Sequence, residues 1–328
     1  MKRAITIAVD AMGGDKAPQA VIAGAIAAAR AYPEISVLLI GDETVMRAEL
    51  TRQGTATDNI RLHHASQAID MCEAPGVAIR HKRDSSIVVG MHLVRNGEAD
   101  AMVSAGNSGA MMAGATLILK AQPGIDRPAI ATLFPTIDGG RVVMLDAGAT
   151  TDCKPQNLLQ FAELGSAYAV QALHCPSPRV GLLSIGEEPS KGDELTKEAH
   201  KLLQTASGIN FVGNVEPKEM LHGEADVVVC DGFVGNLMLK AGEGLGELVM
   251  KTLGRELHQN LFRRLLAALL RPAFRQVKRL FDYAEYGGAL LLGVNGVVVI
   301  GHGRSNATAI ENAIRVAADA ARHRQLVP

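Results

Sequence analysis

The chain contains no tryptophan, and only seven phenylalanines and four tyrosines are spread over its 328 residues. Charge of one sign is equally scarce in net terms: 33 Lys and Arg against 34 Asp and Glu leave −1, so no global field draws the protein to nucleic acid or to an anionic surface, and any such attraction must come from a local patch. The four cysteines, Cys72, Cys153, Cys175 and Cys230, lie far apart without Cys-x-x-Cys spacing, which suggests neither a disulfide framework nor a zinc site. No apolar run reaches spanning length without a charge or a glycine, and the N-terminal run in MKRAITIAVDAMGGD stops at Asp10, too soon for the core of a signal peptide. These absences describe a cytoplasmic protein, attached at most to a membrane face, with no cofactor, metal or nucleic acid called for.

Glycine, by contrast, is abundant at 34 residues, and 48% of the chain is apolar. Short β-branched runs, AITIAV, VLLI, VVML, VGLLSI, DVVVC and VVVI, alternate with longer helical stretches such as the alanine-rich 21–30, the signature of βαβ units and a parallel sheet. The runs are continuously apolar, as a sheet covered on both faces requires. The fold class read here is α/β, a mostly parallel sheet in one catalytic domain over 1–328.

Small-residue loops follow the strands: DAMGGD at 10–15, SAGNSGA at 104–110, DAGAT at 146–150, GEEPSKG at 186–192, DGFVGN at 231–236 and GHGRSN at 301–306. In an open α/β sheet such loops converge on a crevice at the carboxyl ends of the strands, so the six are expected to build a single site. Glycine lets backbone N–H groups approach a ligand, and a helix N-terminus adds unpaired donors and partial positive charge, a combination suited to phosphate. The candidate anion-binding residues are Asp10, Gly13, Gly14, Asp15, Gly106, Asn107, Ser108 and Ser305. Among charged groups, Lys191 sits in a Gly/Pro/Ser loop, where it could offset phosphate charge or polarise a carbonyl, and His302 sits in Gly-His-Gly, where it could act as acid or base.

Familiar motifs fail. In 186–192 Lys191 precedes the second glycine and no Ser or Thr follows it, so this is no Walker loop, and GEGLG at 242–246 lies within a helical stretch, so it is no dinucleotide fingerprint. Ser108 and Ser305 approach the nucleophile elbow but have alanine for its last glycine; helix N-capping is the expected role of each.

Together the loops resemble the bacterial phosphate acyltransferases of the PlsX type, which make acyl phosphate from acyl-acyl carrier protein and inorganic phosphate. The resemblance runs nearly end to end through DAMGGD, SAGNSGA, GLLSIGEEPSKG, FVGNVE, DVVVCDGFVGN and GGALLLGVNG with GHGRSN, departing in Ser108 for the usual threonine and Thr150 for the usual asparagine. It implies a three-layer α/β/α, isocitrate/isopropylmalate-dehydrogenase-like fold, a homodimer, and a site that includes Lys191 and Asn236. It also implies that acyl phosphate passes to a membrane glycerol-3-phosphate acyltransferase in phospholipid synthesis.

The segment 255–284 differs in character. Leu257, Leu261, Phe262, Leu265, Leu266, Leu269 and Leu270 recur at helical spacing, and Pro272 can start a second helix. Arg263, Arg264, Arg271, Arg275 and Lys278 make this helical hairpin basic. Its expected partners are anionic lipid or the acidic acyl carrier protein, although the periodicity alone favours an ordinary dimer-interface or core helix with a solvated charged face. Two rivals to the main reading remain: a phosphotransacetylase-like enzyme taking acyl-CoA, and a silent lipid- or carrier-binding scaffold.

Overall fold

The protein is described here from a computed structural model covering residues 4–54, 58–281 and 287–324. The strands are β1 (Ile5–Asp10), β2 (Ile35–Gly41), β3 (Ile60–His64), β4 (Ala101–Ser104), β5 (Ala129–Pro135), β6 (Arg141–Leu145), β7 (Arg179–Leu183), β8 (Asn210–Val215), β9 (Val227–Val229), β10 (Ala289–Leu292) and β11 (Val297–Ile300). The helices are α1 (Gln19–Ala31), α2 (Glu43–Arg52), α3 (Pro75–His81), α4 (Ser86–Arg95), α5 (Ser108–Gly114, prolonged by a π turn over Ala115–Leu119), α6 (Pro155–Ala172), α7 (Glu194–Thr205), α8 (Pro217–His222), α9 (Gly232–Leu257), α10 (Leu261–Leu269), α11 (Arg271–Phe281) and α12 (Ala307–Arg324). All six apolar runs expected to be strands are strands.

The strands form one sheet in the order β3-β2-β1-β4-β11-β10-β5-β6-β9-β7-β8. It is parallel except around β10 and β5, where the pairs β11/β10, β10/β5 and β5/β6 are antiparallel. Three reversals in succession turn the direction over, so β6, β9, β7 and β8 run opposite to β1, β2, β3, β4 and β11. The register nevertheless runs straight across: Val9, Val103, Val299, Leu290, Ala131, Leu145, Val229 and Leu182 are successive partners in one row. Paired residues share a face of a sheet. One face therefore buries the Val9 row against α1, α12 and α6, and the other buries Ala8, Met102, Val298, Met144 and Val228 against α3, α4 and α5. This is a three-layer α/β/α sandwich, as expected.

Asp10, Ser104 and Ile300 are the next residues beyond the row on one side, whereas Asp146, Cys230 and Leu183 are next beyond it on the other. The six small-residue loops thus leave the same level of the sheet in two opposite directions, as two groups. Hydrophobic pattern locates strands but carries no information on direction, so this division is not legible in the sequence.

Candidate active site

The first group joins the loops after β1, β4 and β11. Asp10 is 1% exposed, and its carboxylate is committed inside the loop: Oδ2 accepts from the Ser104 hydroxyl at 2.6 Å and Oδ1 from the Met12 N–H at 3.0 Å. Ser104 Oγ in turn accepts from the Gly106 N–H at 2.9 Å. Burial pushes the Asp10 carboxyl above the ordinary range, opposed by the hydroxyls of Ser104 and Ser86 and by the N–H groups of Met12 and Gly13. A Cβ at Gly13 would lie 2.3 Å from Asp10 Oδ2 and 2.8 Å from the Gly106 nitrogen, so only glycine lets these turns close. Gly14 has φ +105°, and a Cβ there would be 3.1 Å from Ala105 O and 3.2 Å from Gly303 O. The Asp15 N–H donates to Gly303 O at 2.8 Å, and the Gly301 N–H to Ser104 O at 2.8 Å. Gly13, Gly14, Asp15, Gly106 and the 301–305 turn are therefore in mutual contact.

The helix caps differ from expectation. Asn107, not Ser108, caps α5: its Oδ1 accepts from the Ala110 N–H at 3.0 Å, and its amide donates to the carbonyls of Asp70, Met71 and Glu73 at 3.0–3.2 Å. Ser108 is the exposed first residue of the helix. Likewise Asn306, not Ser305, accepts from the Ala309 N–H at the head of α12, while Ser305 is buried and its N–H donates to His302 O. A side-chain amide holds both polarities and can pin a second segment while capping, which a hydroxyl does less well.

The second group joins the loops after β6 and β9. Asp146, fully buried, is its hub: Oδ1 accepts from the N–H groups of Ile130, Gly148 and Ala149, and Oδ2 from Thr150 at 2.6 Å. Burial raises its carboxyl from 3.8 to about 6 against the pull of those four donors. Gly235 brings the backbone of α9 onto this loop, since a Cβ there would meet Asp146 O at 1.9 Å. Asp231 caps α9, accepting from Phe233 and Val234, and Asp193 caps α7 at the end of the β7 loop. Lys191 stays with its own loop, exposed, its N–H donating to Glu188 O. Cys153 and Cys230 lie beside Asp146, and burial pushes the Cys153 thiol up to about 12 and that of Cys230 well up too. Burial thus disfavours in both the thiolate form that a nucleophile needs.

Helix α9 connects the groups. Asn236 packs against Gly148, whose Cβ position lies 3.4 Å from Asn236 Cβ. One turn on, Lys240 Nζ lies 3.2 Å from His302 Nε2 and 2.9 Å from Glu243 Oε2. The Arg304 N–H donates to His302 Nδ1 at 3.1 Å, and His302 Nε2 lies 3.7 Å from Glu243 Oε2. His302 and Lys240 hold the Glu243 carboxyl down at about 2. Asn236, Lys240 and Glu243 are spaced i, i+4, i+7 and share a stripe, with Asn236 and Lys240 about 6 Å apart along the helix axis. The sequence reading missed Lys240 and Glu243. Their spacing from Asn236 was the available signal, but only the contact with His302 distinguishes it from an ordinary solvated face.

At the basic segment α9 runs to Leu257 before α10 and α11 form two short helices, Pro272 being the second residue of α11. Phe262, Leu265 and Leu269 are 70%, 66% and 73% exposed, with Leu270, Arg263, Arg264 and Arg271 exposed beside them. Arg263 donates to Gln259 and Glu256. The side chains of Arg275 and Lys278, and residues 282–284 of the expected hairpin, lie outside the described residues. Among the described residues no helix is long and apolar enough to cross a membrane, and no group of His, Cys, Asp and Glu could hold a metal ion.

The same overall fold is found in phosphotransacetylases of known structure. A phosphotransacetylase from Streptococcus pyogenes superposes with a TM-score of 0.67 at 19% identity, covering 98% of this chain and 95% of that one. A 4-hydroxythreonine-4-phosphate dehydrogenase from Burkholderia phymatum does so at 0.52 and 15%, covering 96% and 98%. The chain itself belongs to the family described as fatty acid synthesis protein, whose model matches residues 5–327. Among its relatives, the phosphate acyltransferase of Pelotomaculum thermopropionicum is 50% identical over 320 residues, 98% of this chain and 92% of that protein.

Proposed function

We propose that this enzyme, a transferase by its family, moves a fatty acyl group from the thioester of acyl-acyl carrier protein to inorganic phosphate. A phosphate oxygen attacks the thioester carbonyl and forms the C–O bond, the C–S bond breaks, and the products are acyl phosphate and the free carrier thiol. Phosphate carries nucleophilic oxyanions near neutral pH and a thiol leaves readily at a pKa of about 8.5, so neither a strong base nor a strong acid is needed. Holding the two reactants together supplies most of the acceleration.

The observation that carries this reading is the contrast between the helix caps. In the first group α5 and α12 are capped by neutral Asn107 and Asn306, which add no negative charge of their own to the helix ends beside the turns at Gly13, Gly14 and Gly106. In the second, α7 and α9 are capped by carboxylates, Asp193 and Asp231. An anion is favoured at the first and repelled at the second. Phosphate therefore belongs with the first group. The thioester carbonyl lies toward Asn236 and Lys191, which stabilise the oxyanion of the tetrahedral intermediate.

The exposed apolar and basic face of α10 and α11 supports peripheral contact with an anionic membrane and docking of the carrier protein, which would bring acyl phosphate close to a membrane acyltransferase. Exposed Phe233, Leu237, Leu245 and Leu248 on α9 favour a homodimer. Turnover of acyl-acyl carrier protein beside the matching acyl-CoA, each with and without phosphate, tests the donor. The carrier thioester is expected to be the better substrate by kcat/KM. Equal or better use of acyl-CoA would make this a phosphotransacetylase-like enzyme, and thiol release from neither would leave a binding scaffold.

A further inference from the structure

Lys191 is exposed, and so are Glu187, Glu188, Pro189 and Ser190 before it. A lysine carries its charge on a flexible four-carbon stem, whereas a group that stabilises an oxyanion must be held to about 0.5 Å. What holds this turn comes from beneath it. Asn214 of β8, only 6% exposed, donates through Nδ2 to Glu188 O at 2.9 Å, and the same carbonyl accepts from the Lys191 N–H at 2.9 Å. One oxygen thus ties the backbone of Lys191 to a buried side chain. On the other side, a Cβ at Gly186 would lie 2.9 Å from Lys191 Cγ, so the lysine stem rests against bare backbone.

The Asn214 amide is itself oriented. Glu188 O can only accept, so the amide nitrogen faces it and Oδ1 faces His200 Nδ1 at 2.9 Å, which therefore carries a proton. Turning the amide over would set oxygen against oxygen at Glu188, and His200 selects against that orientation. His200 lies on α7, 6% exposed, with its ring edge-on to Phe211 at a centroid distance of 5.1 Å. The same helix closes the far end of the turn through its cap, where Asp193 accepts from the Thr196 N–H at 2.8 Å and from the Thr196 hydroxyl at 2.7 Å. A position as buried as Asn214 ordinarily takes an apolar side chain, because burying an amide costs free energy unless it is hydrogen-bonded. An amide–imidazole pair that served the core alone would join β8 to α7 and stop there; this one continues to an exposed carbonyl that water could have satisfied.

We infer that Asn214 and His200 are positioning residues of the acyl transfer reaction, given the reading of Lys191 as a group that stabilises the oxyanion: His200 fixes the Asn214 amide, and Asn214 fixes the turn that aims Lys191. Both act through Lys191, from beneath the surface on which it stands.

A double-mutant cycle tests this. Wild type, Asn214→Asp, Lys191→Ala and the double variant are compared with phosphate and acyl-acyl carrier protein varied in turn, alongside amide hydrogen exchange over 186–192. Aspartate keeps the size of asparagine and still accepts from His200, but it offers Glu188 O an oxygen in place of a donor. It should lower kcat about 10- to 100-fold, leave both KM values within about twofold, and speed exchange of the Lys191 N–H. In the Lys191→Ala enzyme the same substitution should change kcat by less than about twofold, since no ammonium is left to aim. His200→Leu, which keeps apolar packing on Phe211 but leaves the amide free to turn over, should give a smaller fall in kcat, again only where Lys191 is present. His200→Asn, whose amide can donate to Asn214 Oδ1, should recover part of it, and this pair makes the same comparison if Asn214→Asp does not fold. An unchanged kcat in folded Asn214→Asp, or an equal fall with and without Lys191, overturns the inference and leaves Lys191 its role. A wild-type kcat in Lys191→Ala removes that role, and the positioning role with it.

Discussion

Gly13→Ala tests whether the first group is held as tightly as its geometry requires. The added methyl would sit 2.3 Å from Asp10 Oδ2, 2.8 Å from the Gly106 nitrogen and 2.9 Å from Ser104 Oγ, and restoring ordinary contact moves the carboxylate by about 1 Å. The carboxylate has nowhere to go: it is buried and bound to Ser104 at 2.6 Å, and Ser104 to the Gly106 N–H at 2.9 Å. Relief therefore breaks at least one hydrogen bond to a buried charged group, about 1.5–3 kcal/mol, on top of overpacking of about 1–3 kcal/mol. A loss of about 3–5 kcal/mol in unfolding free energy is expected from urea denaturation. The turn amides shift by a similar distance, so kcat/KM for phosphate should drop about 100-fold. Gly76→Ala is the control, since a Cβ at that position of α3 meets nothing within 4 Å; it should leave both quantities unchanged or raise stability slightly. A Gly13→Ala enzyme with a wild-type urea midpoint and phosphate kinetics would mean that the turns are not closed this tightly around Asp10.

Four further expectations come from the same structure. Asp146 has a folded-state pKa of about 6 against an ordinary 3.8, so its contribution favours the folded state below 3.8 and is lost as the pH rises through about 6; carboxyl NMR should show titration near 6, and an ordinary value would refute the burial argument. Asp146→Asn would set an amide donor against the Thr150 N–H and should cost about 1–3 kcal/mol at pH 7. Alkylation by iodoacetamide at neutral pH should modify exposed Cys72 first and leave buried Cys230 untouched until unfolding, as peptide mapping would report. Leu269→Glu on the exposed face of α10 should weaken co-sedimentation with anionic vesicles at low salt while leaving turnover of a soluble donor intact; unchanged sedimentation would remove the membrane role.

Much of this was legible in the residues, and what was not has physical causes. The central strands announced themselves because burial on both faces demands continuous β-branched runs. The edge strand β3, IRLHH with His64 exposed, covers less apolar surface and gives no such run, and β5 and β10 carry the reversal that no hydrophobic pattern encodes. Gly13, Gly14 and Gly106 were readable because glycine is required where backbones touch. Asp10 and Asp146 are alike at the ends of β1 and β6, but that each would be consumed by its own loop depends on which N–H groups the turn aims inward. Asn107 and Asn306 were passed over as caps in favour of neighbouring serines, because which residue leaves helical geometry first is a property of the loop. Lys240 and Glu243 needed the tertiary contact with His302 to become visible at all.

Inorganic phosphate, held by the turns at Gly13, Gly14 and Gly106, is the acyl acceptor proposed for this enzyme. Incubating the enzyme with acyl-acyl carrier protein, with and without phosphate, while measuring free thiol and trapping acyl phosphate with hydroxylamine, tests it most directly. Thiol and hydroxamate are expected to appear in equal amounts and only when phosphate is added; thiol released at the same rate without phosphate, or with free fatty acid in place of hydroxamate, would rule phosphate out as the acceptor.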